Sequence, residues 1–137
     1  MSERNNIHII IAEDDEDDGE IMLESFGKHD SFARIDWVRN GRELIDFLNE
    51  HDKKPDIILT DINMPILSGI EALELICGDN KLNGIPAFVF SSTLNPVYEV
   101  KCMQLGTKGF LIKPLNLKGF DEIPSKIINI LKKSDKG

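Results

Sequence analysis

Ile57-Ile58-Leu59-Thr60-Asp61-Ile62-Asn63-Met64-Pro65 carries most of what the chain discloses about its fold. Ile57 to Leu59 is a short, unbroken apolar run, which is how a strand buried on both faces reads. The run gives way to the Asp61 carboxylate, and Asn63 and Pro65 then supply residue types that favour a turn. Outward from it, Ile7 to Ala12, Ala87 to Phe90 and Phe110 to Ile112 have the same character and are expected to be strands buried on both faces. Ala33 to Val38 differs. There Ile35 and Trp37 alternate with Arg34 and Asp36, the pattern of an edge strand with one wetter face.

Helical periodicity fills the gaps. Met22 and Phe26 with Leu23 mark one apolar face, and Leu44, Ile45 and Leu48 a second. Leu73, Ile76 and Cys77 mark a third, Tyr98, Cys102 and Leu105 a fourth, and Ile127, Ile130 and Leu131 a fifth. Asn40-Gly41, Ser68-Gly69 and Asn95-Pro96 read as helix starts, and Gly106 stands where a helix end needs a left-handed backbone. A helix begun at Lys118 would carry Pro124 in its interior at a cost of about 3 kcal/mol. Leu117 to Glu122 is therefore expected to be a separate turn, with the last helix starting at Pro124. Strand and helix alternating in this way imply a parallel sheet covered on both faces, because parallel strands need right-handed crossovers. One edge-like strand, second in the chain, fits an α/β, flavodoxin-like, doubly wound fold with five strands in the order 2-1-3-4-5.

The 137 residues suit a single domain over 1–137, with a core over about 6–133 and short frayed ends, the C-terminal one from Lys132. With 16 basic and 24 acidic residues the formal charge is −8, which disfavours nucleic acid as a direct partner because phosphate binding needs a basic footprint. No apolar run is long enough for membrane insertion, and the first residues have no secretory h-region. Cys77 and Cys102, far apart and each in a helical pattern, read as reduced, packed thiols of a cytoplasmic protein.

In a doubly wound sheet, ligands bind outside the carboxyl ends of the strands. Glu13-Asp14-Asp15 follows the first strand and Thr60-Asp61 ends the third, with Asn63 just beyond. Ser91-Ser92-Thr93 follows the fourth strand and Lys113-Pro114 the fifth. Singly, each has an ordinary explanation. Seven acids in the eight positions from Glu13 to Glu20 suit a solvated helix start, Asp61 could cap a turn, and Lys113 could be a surface lysine. Placed together at successive strand ends, they are harder to obtain by chance. Clustered carboxylates raise one another's pKa unless a cation is present, and Mg²⁺, an oxygen-liganded ion, is the natural counter-ion.

Ile9-Ile10-Ile11-Ala12-Glu13-Asp14-Asp15, Asp56 to Pro65 with Gly69, Phe90-Ser91-Ser92 and Gly109-Phe110-Leu111-Ile112-Lys113-Pro114 together resemble the receiver domain of two-component response regulators. The resemblance covers nearly the whole chain and implies a stand-alone receiver. It implies that Asp61 accepts a phosphoryl group from a histidine kinase or phosphotransfer protein. It further implies that Asp14, Asp61 and the backbone carbonyl of Asn63 bind Mg²⁺, with Glu13 reaching the ion through water. Lys113 would pair with the phosphoryl group or the Asp61 carboxylate as a point charge, and Ser91 would hydrogen-bond a phosphoryl oxygen. Ser91 and Phe110 hold the positions that shift together on phosphorylation, and Asn63 and Thr93 those that tune the lifetime of the phosphorylated state. Ser91 stands where threonine is commoner, and Phe110 lacks the hydroxyl a tyrosine would offer. The output would be a changed surface for a downstream protein target.

Two other readings compete. A phosphatase of the haloacid dehalogenase type also uses an aspartate nucleophile after a strand, but it needs a second aspartate where Asn63 stands. A pseudo-receiver would act as a scaffold without phosphorylation, although every group the chemistry requires is present. Apart from self-phosphorylation and autodephosphorylation on Asp61, no enzymatic activity is expected.

Overall fold

The computed structural model describes residues 6–136; residues 1–5 and 137, which include most of the expected N-terminal fray, lie outside it. Strands and helices alternate throughout: β1 (Ile7–Ala12), α1 (Glu16–Gly27), β2 (Phe32–Val38), α2 (Gly41–Glu50), β3 (Ile57–Thr60), α3 (Gly69–Cys77), β4 (Ala87–Ser91), α4 (Pro96–Gln104), β5 (Gly109–Ile112) and α5 (Leu117–Lys136). The five strands form one parallel sheet in the order β2-β1-β3-β4-β5. The expected flavodoxin-like topology is the observed one.

Strand alternation divides the core between the two faces. Ile10, Ala12, Ile58 and Val89 pack with Leu44 and Leu48 of α2, Leu73 and Ile76 of α3 and Cys102 of α4. On the other side Ile9, Ile11, Leu59, Phe88 and Phe90 meet Met22 and Phe26 of α1 and Phe120, Ile123 and Ile127 of α5. The helix starts lie where the polar residues put them. Asn40, Ser68 and Asn95 each accept a backbone N–H as N-caps, Ser68 in a capping box with Glu71. Gly106 has φ +86°, the left-handed turn that closes α4.

Three expectations need correction. α5 is continuous from Leu117, with Pro124 inside it. The proline deprives the Phe120 carbonyl of its helical donor, yet Phe120, Ile123 and Ile127 are 5%, 1% and 0% exposed. Burying those three side chains is worth roughly 5–9 kcal/mol, which outweighs about 3 kcal/mol lost at the proline. The same helix runs to Lys136. β5 is not buried on both faces: it is the second edge of the sheet, paired only with β4, and Ile112 is 46% exposed. Finally, Cys102 is buried as expected but Cys77 is exposed, because Ala72, Leu73 and Ile76 already fill the inner face of α3; both thiols are free.

Candidate functional site

The strand ends of β1, β3, β4 and β5 bring their following residues to one edge of the sheet. Glu13 leaves β1 with its N–H on the Val38 carbonyl at 3.0 Å, and its side chain is fully buried. Its Oε2 accepts the Asp15 N–H at 3.0 Å. Its Oε1, equally buried, pairs with the Lys113 ammonium at 2.7 Å. Asp14 is exposed beside it. Asp15 has turned away to cap α1, where its Oδ1 accepts the Asp18 N–H at 2.9 Å.

Asp61 is held from several directions. Its N–H reaches the Ala12 carbonyl of β1 at 3.0 Å, its Oδ1 accepts the Ile62 N–H at 2.6 Å, and its Oδ2 accepts from Lys113 Nζ at 2.9 Å. The chain then doubles back so closely that the Gly69 N–H bonds the Ile62 carbonyl at 2.8 Å. A Cβ at position 69 would stand 1.9 Å from the Asp61 carbonyl oxygen, so only glycine permits this return. Across the edge, Ser91 is buried, its carbonyl accepts the Lys113 N–H at 2.8 Å, and its Oγ accepts the Thr93 N–H at 3.4 Å. Strand pairing between β4 and β5 thus sets Lys113 beside Ser91.

Lys113 is the hub. Its ammonium contacts Glu13 at 2.7 Å, Asp61 at 2.9 Å and Asp18 at 3.0 Å, while its side chain is only 11% exposed. Burial alone would lower the lysine pKa, but hydrogen bonds to Glu13 and Asp61 and their negative charges hold it above the ordinary lysine range. Burial pushes Glu13 up to about 7; Lys113 and the Asp15 N–H oppose the shift, and the Asp61 charge adds to it. Carboxylate oxygens of Glu13, Asp14 and Asp61 lie within 4.8 Å of one another, and this cluster could hold a metal ion. A set of oxygen donors alone suits a hard divalent cation.

Glu13, Asp14, Asp61, Lys113 and Ser91 are therefore brought together at the edge. Asn63 and Thr93 are exposed in the loops after β3 and β4, and Phe110 is half-buried against the α2-α3-α4 side of the core. Sequence reasoning missed Asp18, lost in a run of acids. The signal was available, since Asp18 lies one helical turn before Met22 and two before Phe26, on the inward face of α1. It also missed Trp37, whose indole N–H donates to the Glu13 carbonyl at 2.9 Å beneath the stacked Arg39 guanidinium.

Residues 9–123 match the response regulator receiver domain. The chain belongs to that family. Among solved receivers similar to it are the phosphorylated cyanobacterial phytochrome response regulator RcpA and the bacteriophytochrome response regulator AtBRR. RcpA is 27% identical with a TM-score of 0.83, over 89% of this chain and 91% of that one. AtBRR is 26% identical with a TM-score of 0.75, over 93% and 94% respectively. The polar-differentiation response regulator DivK of Brucella anthropi is 33% identical over 85 residues, 62% of this receiver and 68% of DivK. Other relatives are much longer. The receiver spans 13% of the two-component response regulator-like protein APRR1 of Arabidopsis thaliana and 29% of a protein-glutamate methylesterase of Methanococcoides burtonii. Among the described residues no helix is long and apolar enough to cross a membrane.

Proposed function

We propose that this chain, as a single receiver unit in the cytoplasm, accepts a phosphoryl group on Asp61 from a histidine kinase or phosphotransfer protein and so switches a surface for a downstream protein. The observation that carries the proposal is the Lys113 ammonium 2.9 Å from Asp61 Oδ2, in a site whose Glu13, Asp14 and Asp61 oxygens gather within 4.8 Å. In the transfer, an Asp61 carboxylate oxygen forms a bond to phosphorus while the bond from phosphorus to the donor histidine nitrogen breaks, and its electron pair stays on the imidazole. Asp61 is pre-aimed for attack, one oxygen fixed by the Ile62 N–H and the other by Lys113.

Mg²⁺ is the ion proposed for the acidic cluster, held by Asp14, Asp61 and the Asn63 carbonyl, with Glu13 through water. When bound, it supplies charge neutralisation of the phosphoryl oxygens. Lys113 supplies the second positive charge, and Ser91 a hydroxyl donor to a phosphoryl oxygen. Asn63 and Thr93 flank the path of the water that later hydrolyses the acyl phosphate. Movement of Ser91 and repacking of Phe110 would alter the face built by α4, β5 and α5, where Val97, Met103 and Ile112 are exposed. The test is incubation with acetyl phosphate and Mg²⁺ followed by mass measurement. One added phosphoryl group is expected, lost in Asp61→Asn, in Asp61→Ala and on chelation of Mg²⁺. Undiminished labelling of Asp61→Ala would rule out this acceptor, and no labelling of the unaltered chain by any phosphodonor would favour a phosphorylation-independent scaffold.

A further inference from the structure

We infer that Asp18 is a positioning residue that tunes the metal site through Lys113, an inference that rests on the reading of Glu13, Asp14 and Asp61 as that site. An ammonium has three N–H donors, and Lys113 faces three carboxylates, Glu13 at 2.7 Å, Asp61 at 2.9 Å and Asp18 at 3.0 Å. Two of the three belong to the metal cluster and Asp18 does not. A divalent cation draws on the charge of Glu13 and Asp61, and Asp18 is then the carboxylate that continues to neutralise Lys113. Without it, a nearly buried ammonium would set its full charge against the incoming cation, in a place where water screens little.

Asp18 is built to hold this post. The Asp15 cap fixes its backbone N–H at 2.9 Å, so the first turn of α1 has a set orientation. Its side chain is 28% exposed, against 11% for Lys113, so it reaches in from the rim and leaves the space around Asp61 open. Its neighbour Asp17 is exposed and carries the same charge on the same turn, which makes it the natural control.

The experiment is a Mg²⁺ titration of the full chain read by Trp37 fluorescence, the indole being bonded to the Glu13 carbonyl at 2.9 Å. Asp18→Asn should weaken Mg²⁺ binding about tenfold, the lower end of what partners outside the ligand set contribute. Asp17→Asn should change it much less, and Asp18→Glu should recover most of the loss. In a Lys113→Met background, Asp18→Asn should have little further effect, because its action passes through the lysine. Equal losses for Asp17→Asn and Asp18→Asn, or a loss that persists undiminished without Lys113, would overturn the inference and leave only bulk charge. Normal Mg²⁺ affinity in Asp18→Asn would overturn it while leaving the metal site standing. Absence of any Mg²⁺ response in the unaltered protein would overturn both.

Discussion

At the residue scale, Asp14 and Asp15 are adjacent acids with different tasks. Asp14 lies in the oxygen cluster, whereas Asp15 accepts the Asp18 N–H at 2.9 Å as the cap of α1. Asp14→Ala should therefore cost most of the Mg²⁺ affinity and little stability. Asp15→Ala should cost about 1 kcal/mol of stability and much less affinity. Denaturant melts and Mg²⁺ titrations on both variants check the crossover, and equal affinity losses would displace the site by one residue. Asn63 and Thr93 are exposed and neutral, so neither strongly activates nor repels an attacking water. A bulky side chain at either position should exclude that water and lengthen the phosphorylated lifetime several-fold, measured by loss of label after the donor is removed. The positions of Asp61, Asp14 and Lys113 were legible because a parallel sheet delivers the residues after its strands to one edge. Asp18 was passed over among seven acids, although its spacing from Met22 and Phe26 put it on the inward face of α1; the lysine it meets comes from a distant strand.

Among the elements, α5 shows most clearly where local signals and packing part. Pro124 argued for a break, and the row of Phe120, Ile123 and Ile127 against α1 overrode it. Pro124→Ala restores the missing donor and should stabilise the fold by about 1–2 kcal/mol in denaturant unfolding, less than the full helix penalty because the buried ring is lost. A destabilised variant would mean that the ring packs too well to be replaced. The Asn and Ser caps were legible because capping is local; the exposure of Ile112 on β5 was not, because Phe110, Leu111 and Ile112 read as apolar whichever side they face. α5 is also tied to α1 by Asp121, which accepts from Ser25 Oγ at 2.8 Å and faces Lys28 at 3.3 Å. The serine hydroxyl, then the lysine, hold the Asp121 carboxyl below its ordinary value of 3.8. A lowered folded-state pKa means the tie is fully present above pH 3.8 and is lost as pH falls through the folded value. Asp121→Asn should be slightly less stable than the parent at neutral pH, with the gap closing in strong acid, as thermal melts across that range would show.

Across the whole molecule, one sheet separates two cores, and the site lies on the edge where both end. Ser91, buried at the end of β4, is backbone-bonded to Lys113, and Phe110 packs half-buried on the α4 side. Lys101 of α4 faces Glu74 of α3 at 3.2 Å in an exposed pair that a shift of α4 would part at little cost. Beryllofluoride with Mg²⁺ should accordingly change amide shifts over residues 96–104 and around Phe110 as well as near Asp61. Phe110→Ala should keep labelling and weaken the partner response. Changes confined to the loops around Asp14, Asp61 and Ser91 would make the chain a carrier of phosphate in a relay. The placement of Lys113 has a further consequence, in the timing of synthesis. The lysine comes 52 residues after Asp61 and 95 after Asp18. At roughly 5–20 residues per second, the ribosome delivers Asp61 some 3–10 s before the cation it shares with Glu13 and Asp18. Until then the nascent chain holds those acids without their shared counter-charge, so arrival of the last strand both closes the sheet and neutralises them, and α5, made last, completes the core on the α1 side.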